Sequence, residues 1–216
     1  MFLIEIFKYG KIYHSIMVIN NDLSLKEKIL KYLIENKEKP KTIRQISKDL
    51  GVDYKNTFQA ISSLSELILK EKFGNTNMVK IKLMPSNEIF SIEGKRTKQF
   101  LRDNKKLELV KKDAESINYP FLIVLVFGSY VKRTNAKSSD IDACIICDNK
   151  EKIKEFISKL ELLPFNLEIH TFSAKEFESM LQTKNENIGK EIVKNNILLY
   201  GIEAYYNLIS KWMKKE

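Results

Sequence analysis

The sequence predicts an α+β chain in two parts. A basic, helix-rich part ends in a β-hairpin, and a second part is built on a mixed β-sheet with helices. Three observations lead there. Capped helical periodicities from residue 24 onward give way to two short strands before residue 84. Two continuous apolar runs, 121–127 and 143–146, then read as buried strands rich in β-branched and aromatic residues. The charge is also uneven. Residues 1–118 hold 23 Lys/Arg against 15 Asp/Glu, a net of +8, whereas residues 119–216 hold 14 against 13, a net of +1.

Composition narrows the classes. With 44% hydrophobic and 10% aromatic residues, the 216-residue chain can build real cores and is not a disordered polyelectrolyte. No apolar stretch approaches the roughly 20 residues of a bilayer span, so no membrane is expected. The N-terminus lacks a basic region followed by a signal-type apolar core. Two cysteines give no disulfide framework. Together these point to a cytoplasmic protein. A basic half joined to a nearly neutral half suggests a polyanion-binding module attached to something else.

The elements follow in order. Residues 2–19 alternate around Tyr9-Gly10-Lys11, a candidate hairpin. Ser24-x-x-Glu27 is a capping box, followed by Leu25, Ile29, Tyr32 and Leu33 at helical spacing. Pro40 breaks the run. Thr42-x-x-Gln45 starts a short helix with Ile43, Ile46 and Leu50 inside, ended by Gly51-Val52. Asp53 caps a third helix, with Tyr54, Phe58, Ile61, Leu64 and Ile68 expected inward. Strands Leu69 to Phe73 and Met78 to Leu83 flank Gly74-Asn75-Thr76-Asn77, residues that tolerate the positive φ of a hairpin loop.

This order resembles a winged helix-turn-helix, over Ser24 to Leu83. The resemblance implies a domain of residues 1–84 that binds double-stranded DNA through residues 24–83. The third helix would lie in the major groove. Its outward residues Lys55, Asn56, Thr57 and Gln59, with Lys72 and Lys80 of the wing, are the candidate DNA contacts. Asn and Gln can pair with adenine edges, and Lys and Thr can reach phosphates. Residues 1–84 carry 15 basic and 9 acidic side chains, a net of +6.

Residues 85–97, with Pro85, Gly94 and Lys95-Arg96, read as a linker. Residues 98–216 form the second domain. A single helical stripe runs through Phe100, Leu107, Val110, Ala114 and Ile117. Phe121 to Phe127 then makes a central strand ending in Gly128-Ser129. Asp140-Ile141-Asp142 opens a second strand, and alternate residues of a strand share a face. Two adjacent carboxylates repel unless a cation lies between them, and oxygen donors suit Mg²⁺ or Mn²⁺.

Phe127-Gly128-Ser129 followed by Ser139-Asp140-Ile141-Asp142 resembles the signature of the DNA polymerase β-like nucleotidyltransferases, most closely the minimal prokaryotic members. The resemblance implies that Gly128, Ser129 and the following helix N-terminus hold the triphosphate of ATP or another NTP. It implies that Asp140 and Asp142 bind two Mg²⁺ (or Mn²⁺) ions. A third acid, on the next strand, would complete the metal and catalytic set. In Phe165-Asn166-Leu167-Glu168-Ile169-His170 that acid is Glu168, with His170 on the same face. Lys132 would replace the family's basic residue facing the phosphates, and Arg133 stands where small members carry glycine. Tyr200, Tyr205 and Tyr206 read as packing residues.

The implied activity is transfer of a nucleoside monophosphate, AMP from ATP, to a hydroxyl on a protein, nucleic acid or small molecule. A partner toxin is one such acceptor, and a homodimer is a further expected assembly. The alternative is a DNA-binding transcriptional regulator whose nucleotidyltransferase-like domain senses a nucleotide or is inactive. Other chemistries lack their motifs. There is no Gly-x-x-x-x-Gly-Lys-Ser/Thr, Gly-x-Gly-x-x-Gly or Gly-x-Ser-x-Gly run. Cys144 and Cys147, three apart on a strand, face opposite sides and do not form a zinc pair.

Overall fold

A computed structural model describes residues 23–74, 76–132 and 140–213. The candidate hairpin at 2–19, Asn75, Arg133 and Ser139 lie outside these. The chain divides into two compact units, residues 1–82 and 83–216.

In the first unit, helix α1 (Leu25–Glu35) starts at the Ser24 capping box and buries Ile29, Leu30, Leu33 and Ile34. A two-residue strand β1 (Lys41–Thr42), too short to leave a sequence signal, precedes α2 (Ile43–Leu50). Thr42 caps α2 by accepting the Gln45 N–H, but the Gln45 side chain donates to Asp49 rather than closing a capping box. Gly51 ends α2 at φ 64°, a left-handed position that glycine takes without strain. Asp53 caps α3 (Tyr54–Ser63). Strands β2 (Ile68–Phe73) and β3 (Thr76–Ile81) pair antiparallel, and β1 adds to β3, giving the order β1-β3-β2.

The buried face of α3 differs from the expected one. Thr57, Ala60, Ile61 and Leu64 are inside, whereas Tyr54 and Phe58 are 51% and 42% exposed. Thr57 and Ala60 are small enough to let α3 approach α1 and α2 closely, so these two positions, not the aromatics, face the core. Thr57 is fully buried, and its hydroxyl donates to the Asp53 carbonyl. It is therefore not a surface contact for DNA. Lys55, Asn56, Gln59 and Lys72 are exposed, and Lys80 is half-buried.

The expected linker 85–97 is instead most of a helix of the second unit. Helix α4 (Asn87–Asp103), capped by Ser86, buries Ile89, Ile92, Phe100 and Leu101. Its polar residues disguised it, because Glu93, Arg96 and Thr97 are buried as well. Arg96 pairs with Glu93 and donates to the Asn196 carbonyl at 3.1 Å. Thr97 donates to the Leu198 carbonyl at 2.6 Å, and the Tyr206 hydroxyl to Glu93 at 2.7 Å. Buried polar groups of this kind are tolerated because they are hydrogen-bonded. The single stripe expected through Phe100 to Ile117 is two helices, α4 and α5 (Leu107–Ile117), broken near Asn104.

The second sheet has the order β6-β5-β4-β7. Strand β4 (Ile123–Phe127) is buried throughout and pairs antiparallel with β5 (Ile141–Ile146) and with β7 (Asn196–Tyr200). Strand β6 (Leu167–Phe172) joins β5 in parallel, which demands a crossover, here α7 (Lys150–Leu160). Short α6 (Gly128–Lys132) follows β4. Helices α8 (Ala174–Gln182) and α9 (Ile188–Lys194) lead into β7, and α10 (Ile202–Met213) closes the unit. Val124, Val126, Ile141 and Ile145 pack under α5 and α7. The opposite face buries Leu125, Cys144 and Leu198. Tyr205 and Tyr206 are fully buried packing residues, as expected. Among the described residues no helix is long and apolar enough to cross a membrane.

Candidate functional site

The site forms where β4 ends and β5 and β6 begin. The parallel register sets Asp142 opposite Glu168 and Cys144 opposite His170. Alternation then brings the side chains of Asp142, Glu168 and His170 to one face. One ligand atom from each of these three lies within 4.8 Å of the others. His170 Nε2 is 3.4 Å from Glu168 Oε1, and its ring stands 5.6 Å from that of Phe127.

Gly128 takes φ 70° at the turn from β4 into α6. A Cβ there would fall 2.8 Å from Asp142 Cγ and closer still to Oδ2. The Asp142 carboxylate thus fills the space that only glycine leaves open. It accepts a hydrogen bond from the Ser129 backbone N–H. Partial burial and then the neighbouring Glu168 charge push the Asp142 carboxyl above the usual carboxylate range. His170 and the Ser129 N–H pull the other way, and Glu191 adds to the rise. A carboxylate held beside a second acid, with an imidazole in reach, is a donor set that a divalent cation would neutralise.

The other expected residues fall into place unequally. Asp140 is exposed just before β5 and is not in the close group. Ser129 is half-buried beside Asp142. Lys132 is exposed and paired with Glu191 of α9 at 2.9 Å. Sequence reasoning did not nominate His170 or Glu191 for the site. The shared face of His170 and Glu168 was the available signal for the first. Glu191 carries none, because only tertiary packing brings α9 to α6. Cys144 and Cys147 are both buried, and burial pushes both thiols up.

A family model described as Polymerase beta, Nucleotidyltransferase matches residues 105–204. That span takes in Gly128, Ser129, Lys132, Asp140, Asp142, Glu168, His170 and Glu191. No curated protein and no solved structure matches the chain. The sheet and its acid-lined edge, within residues 105–204, are thus similar to a nucleotidyltransferase domain of the polymerase β type.

Proposed function

We propose that the second unit transfers a nucleoside monophosphate, AMP from ATP, to a hydroxyl acceptor, and that the first unit binds duplex DNA. The observation that carries the transferase reading is the convergence of Asp142, Glu168 and His170 beside the Gly128-Ser129 turn, inside the matched span. Mg²⁺ or Mn²⁺ bound there would supply charge neutralisation at the reacting phosphate and a more acidic acceptor hydroxyl.

The chain's own residues do the rest. Asp142 and Glu168 would hold the cation, and Asp140 would join from the segment before β5. The Ser129 hydroxyl and Lys132 bind the triphosphate and orient its α-phosphorus. The acceptor oxygen forms a bond to that phosphorus as the bond to the bridging oxygen breaks, and pyrophosphate leaves. Glu168 takes the acceptor proton. The acceptor is a hydroxyl of a protein, a partner toxin among the candidates, or of a nucleic acid or small molecule.

The first unit supports a winged-helix reading through its order: α1, α2, the Gly51 turn, α3, then the β2–β3 hairpin. Exposed Lys55, Asn56 and Gln59 on α3 and Lys72 on β2 form its polar face.

A specific observation also favours a second reading, nucleotide sensing without turnover. Asp140 lies outside the close group of ligand atoms, and Lys132 is occupied by Glu191. One experiment separates the readings. The full-length chain is incubated with α-labelled ATP and cell extract in the presence of Mg²⁺ or of Mn²⁺, while ATP binding is measured in parallel. Label transfer that Asp142→Asn abolishes supports the enzyme, and ATP binding without transfer supports the sensor. For DNA, Lys80→Ala in the full chain should weaken binding to all duplexes and flatten its salt dependence, whereas Gln59→Ala should relax sequence preference. Absence of duplex binding at low salt would refute the DNA reading.

A further inference from the structure

We propose that His170 is a ligand of the same divalent cation as Asp142 and Glu168, and that this imidazole makes the site select Mn²⁺ over Mg²⁺. The inference rests on the reading of this site as a metal centre and goes further by assigning a nitrogen donor and a metal preference.

The geometry comes from the parallel β5–β6 pairing. Glu168 and His170 are two residues apart on β6, so both project from the face that carries Asp142. Their ligand atoms and that of Asp142 lie within 4.8 Å of one another. Atoms bound to one ion at about 2.1 Å stand at most about 4.2 Å apart. The contraction required is therefore small. Glu168, 60% exposed in its side chain, has the freedom to supply it by rotation. His170 is more enclosed at 28%, and the Phe127 ring restrains its plane. Asp142 is fixed by the Ser129 N–H. Two of the three donors are thus held in place, and the third can close on the ion.

The chemistry follows from the donor set. Mg²⁺ is small and hard, demands near-octahedral oxygen donors and gives up water reluctantly. Imidazole nitrogen suits transition ions, whose affinity for mixed nitrogen–oxygen sites rises from Mn²⁺ along the first row. A site of two carboxylates and one imidazole is therefore biased away from Mg²⁺. Mn²⁺ accepts both donor types and retains the octahedral coordination that phosphate oxygens require.

The test uses the full-length chain and Mn²⁺ alone, followed by electron paramagnetic resonance. Loss of the free-ion signal measures binding, competition with Mg²⁺ measures preference, and electron spin-echo modulation detects a coordinated nitrogen. Wild type should bind Mn²⁺ in preference to Mg²⁺ and show nitrogen coupling. His170→Gln should lose the coupling and weaken Mn²⁺ binding by at least about tenfold, the loss that even an outer partner of a metal ligand causes. Its Mg²⁺ affinity should stay unchanged. Bound Mn²⁺ without nitrogen coupling in wild type overturns the assignment of His170 and leaves the metal-centre reading standing. Equal weakening of Mn²⁺ and Mg²⁺ in His170→Gln also overturns it. Wild type that binds neither ion overturns the metal-centre reading as well.

Discussion

Replacing Gly128 with alanine probes the turn and the acid it shelters in one step. The added Cβ meets two separate penalties. The backbone at φ 70° is a left-handed conformation, which costs a non-glycine residue about 1–2 kcal/mol. The methyl also falls 2.8 Å from Asp142 Cγ, inside contact distance, and overpacking of this kind costs about 1–3 kcal/mol. Asp142 can relieve the clash only by turning away from the Ser129 N–H. Gly128→Ala should therefore lose about 2–5 kcal/mol of stability, the sum of the two penalties. In an Asp142→Ala background the carboxylate is gone; the remaining Cβ, 3.3 Å from the added methyl, can give by a few tenths of an ångström, so mainly the backbone cost of about 1–2 kcal/mol remains. The double-mutant cycle should show a coupling of about 1–3 kcal/mol. Urea unfolding of the full chain, followed by circular dichroism, reads the loss. If Gly128→Ala costs the same in both backgrounds, the carboxylate does not occupy that space, and the geometry proposed for the site is refuted.

Gly201→Ala should be the harsher change, because at φ 78° its Cβ would lie 3.0 Å from Ile123 Cα and closer to the Leu122 carbonyl oxygen, backbone that cannot rotate away. A loss of at least about 3 kcal/mol by urea unfolding is expected, and a loss no larger than the left-handed strain alone would refute it. Glu191→Gln releases Lys132 from an exposed ion pair, and such pairs are worth about 0–1 kcal/mol, so ATP affinity by calorimetry should rise by no more than about fivefold. A fall in affinity would show that Glu191 holds Lys132 in place for the nucleotide rather than competing with it. At the start of α8, hydrogen bonds from the Ser173 N–H and hydroxyl hold the Glu176 carboxyl below its usual range. A depressed carboxyl stabilises the fold above its unfolded pKa, and that contribution is lost as pH falls through the folded value. Glu176→Gln should therefore lower the stability of the second unit near neutrality, where the contribution is present, and flatten its profile on the acid side, where variant and wild type converge.

The parts of the chain that could be read directly were those where local chemistry and tertiary demand agree. Ser24, Thr42 and Asp53 each cap the helix their spacing predicts. The apolar run through Phe127 is the central strand, and the acid between Leu167 and Ile169 reaches the same edge as Asp142. The misreadings share a cause. On α3, size decided burial, so Thr57 went inside while Tyr54 and Phe58 stayed out. On α4, buried Glu93 and Arg96 broke the apolar pattern that would have marked a helix. At the site, the Lys132–Glu191 pair joins residues 59 positions apart, and no local pattern encodes it.

The hydrogen bonds from Arg96 and Thr97 carry a consequence for any attempt to isolate the matched span. Strand β7 is the last strand on its side of the sheet. The carbonyls of Asn196 and Leu198 are two residues apart and so point to the same side of the strand; Arg96 and Thr97 cover them. An uncovered border strand is a template for pairing with another chain, and proteins block it with charge or with a covering element. Helix α4 is that cover, and it begins well before residue 105, where the family match starts. A fragment cut at residue 105 would keep every acid of the site and yet be prone to stack strand on strand with its own copies. Its solubility, compared with that of a fragment starting at residue 83, measures how far the helix is an integral part of the sheet it protects.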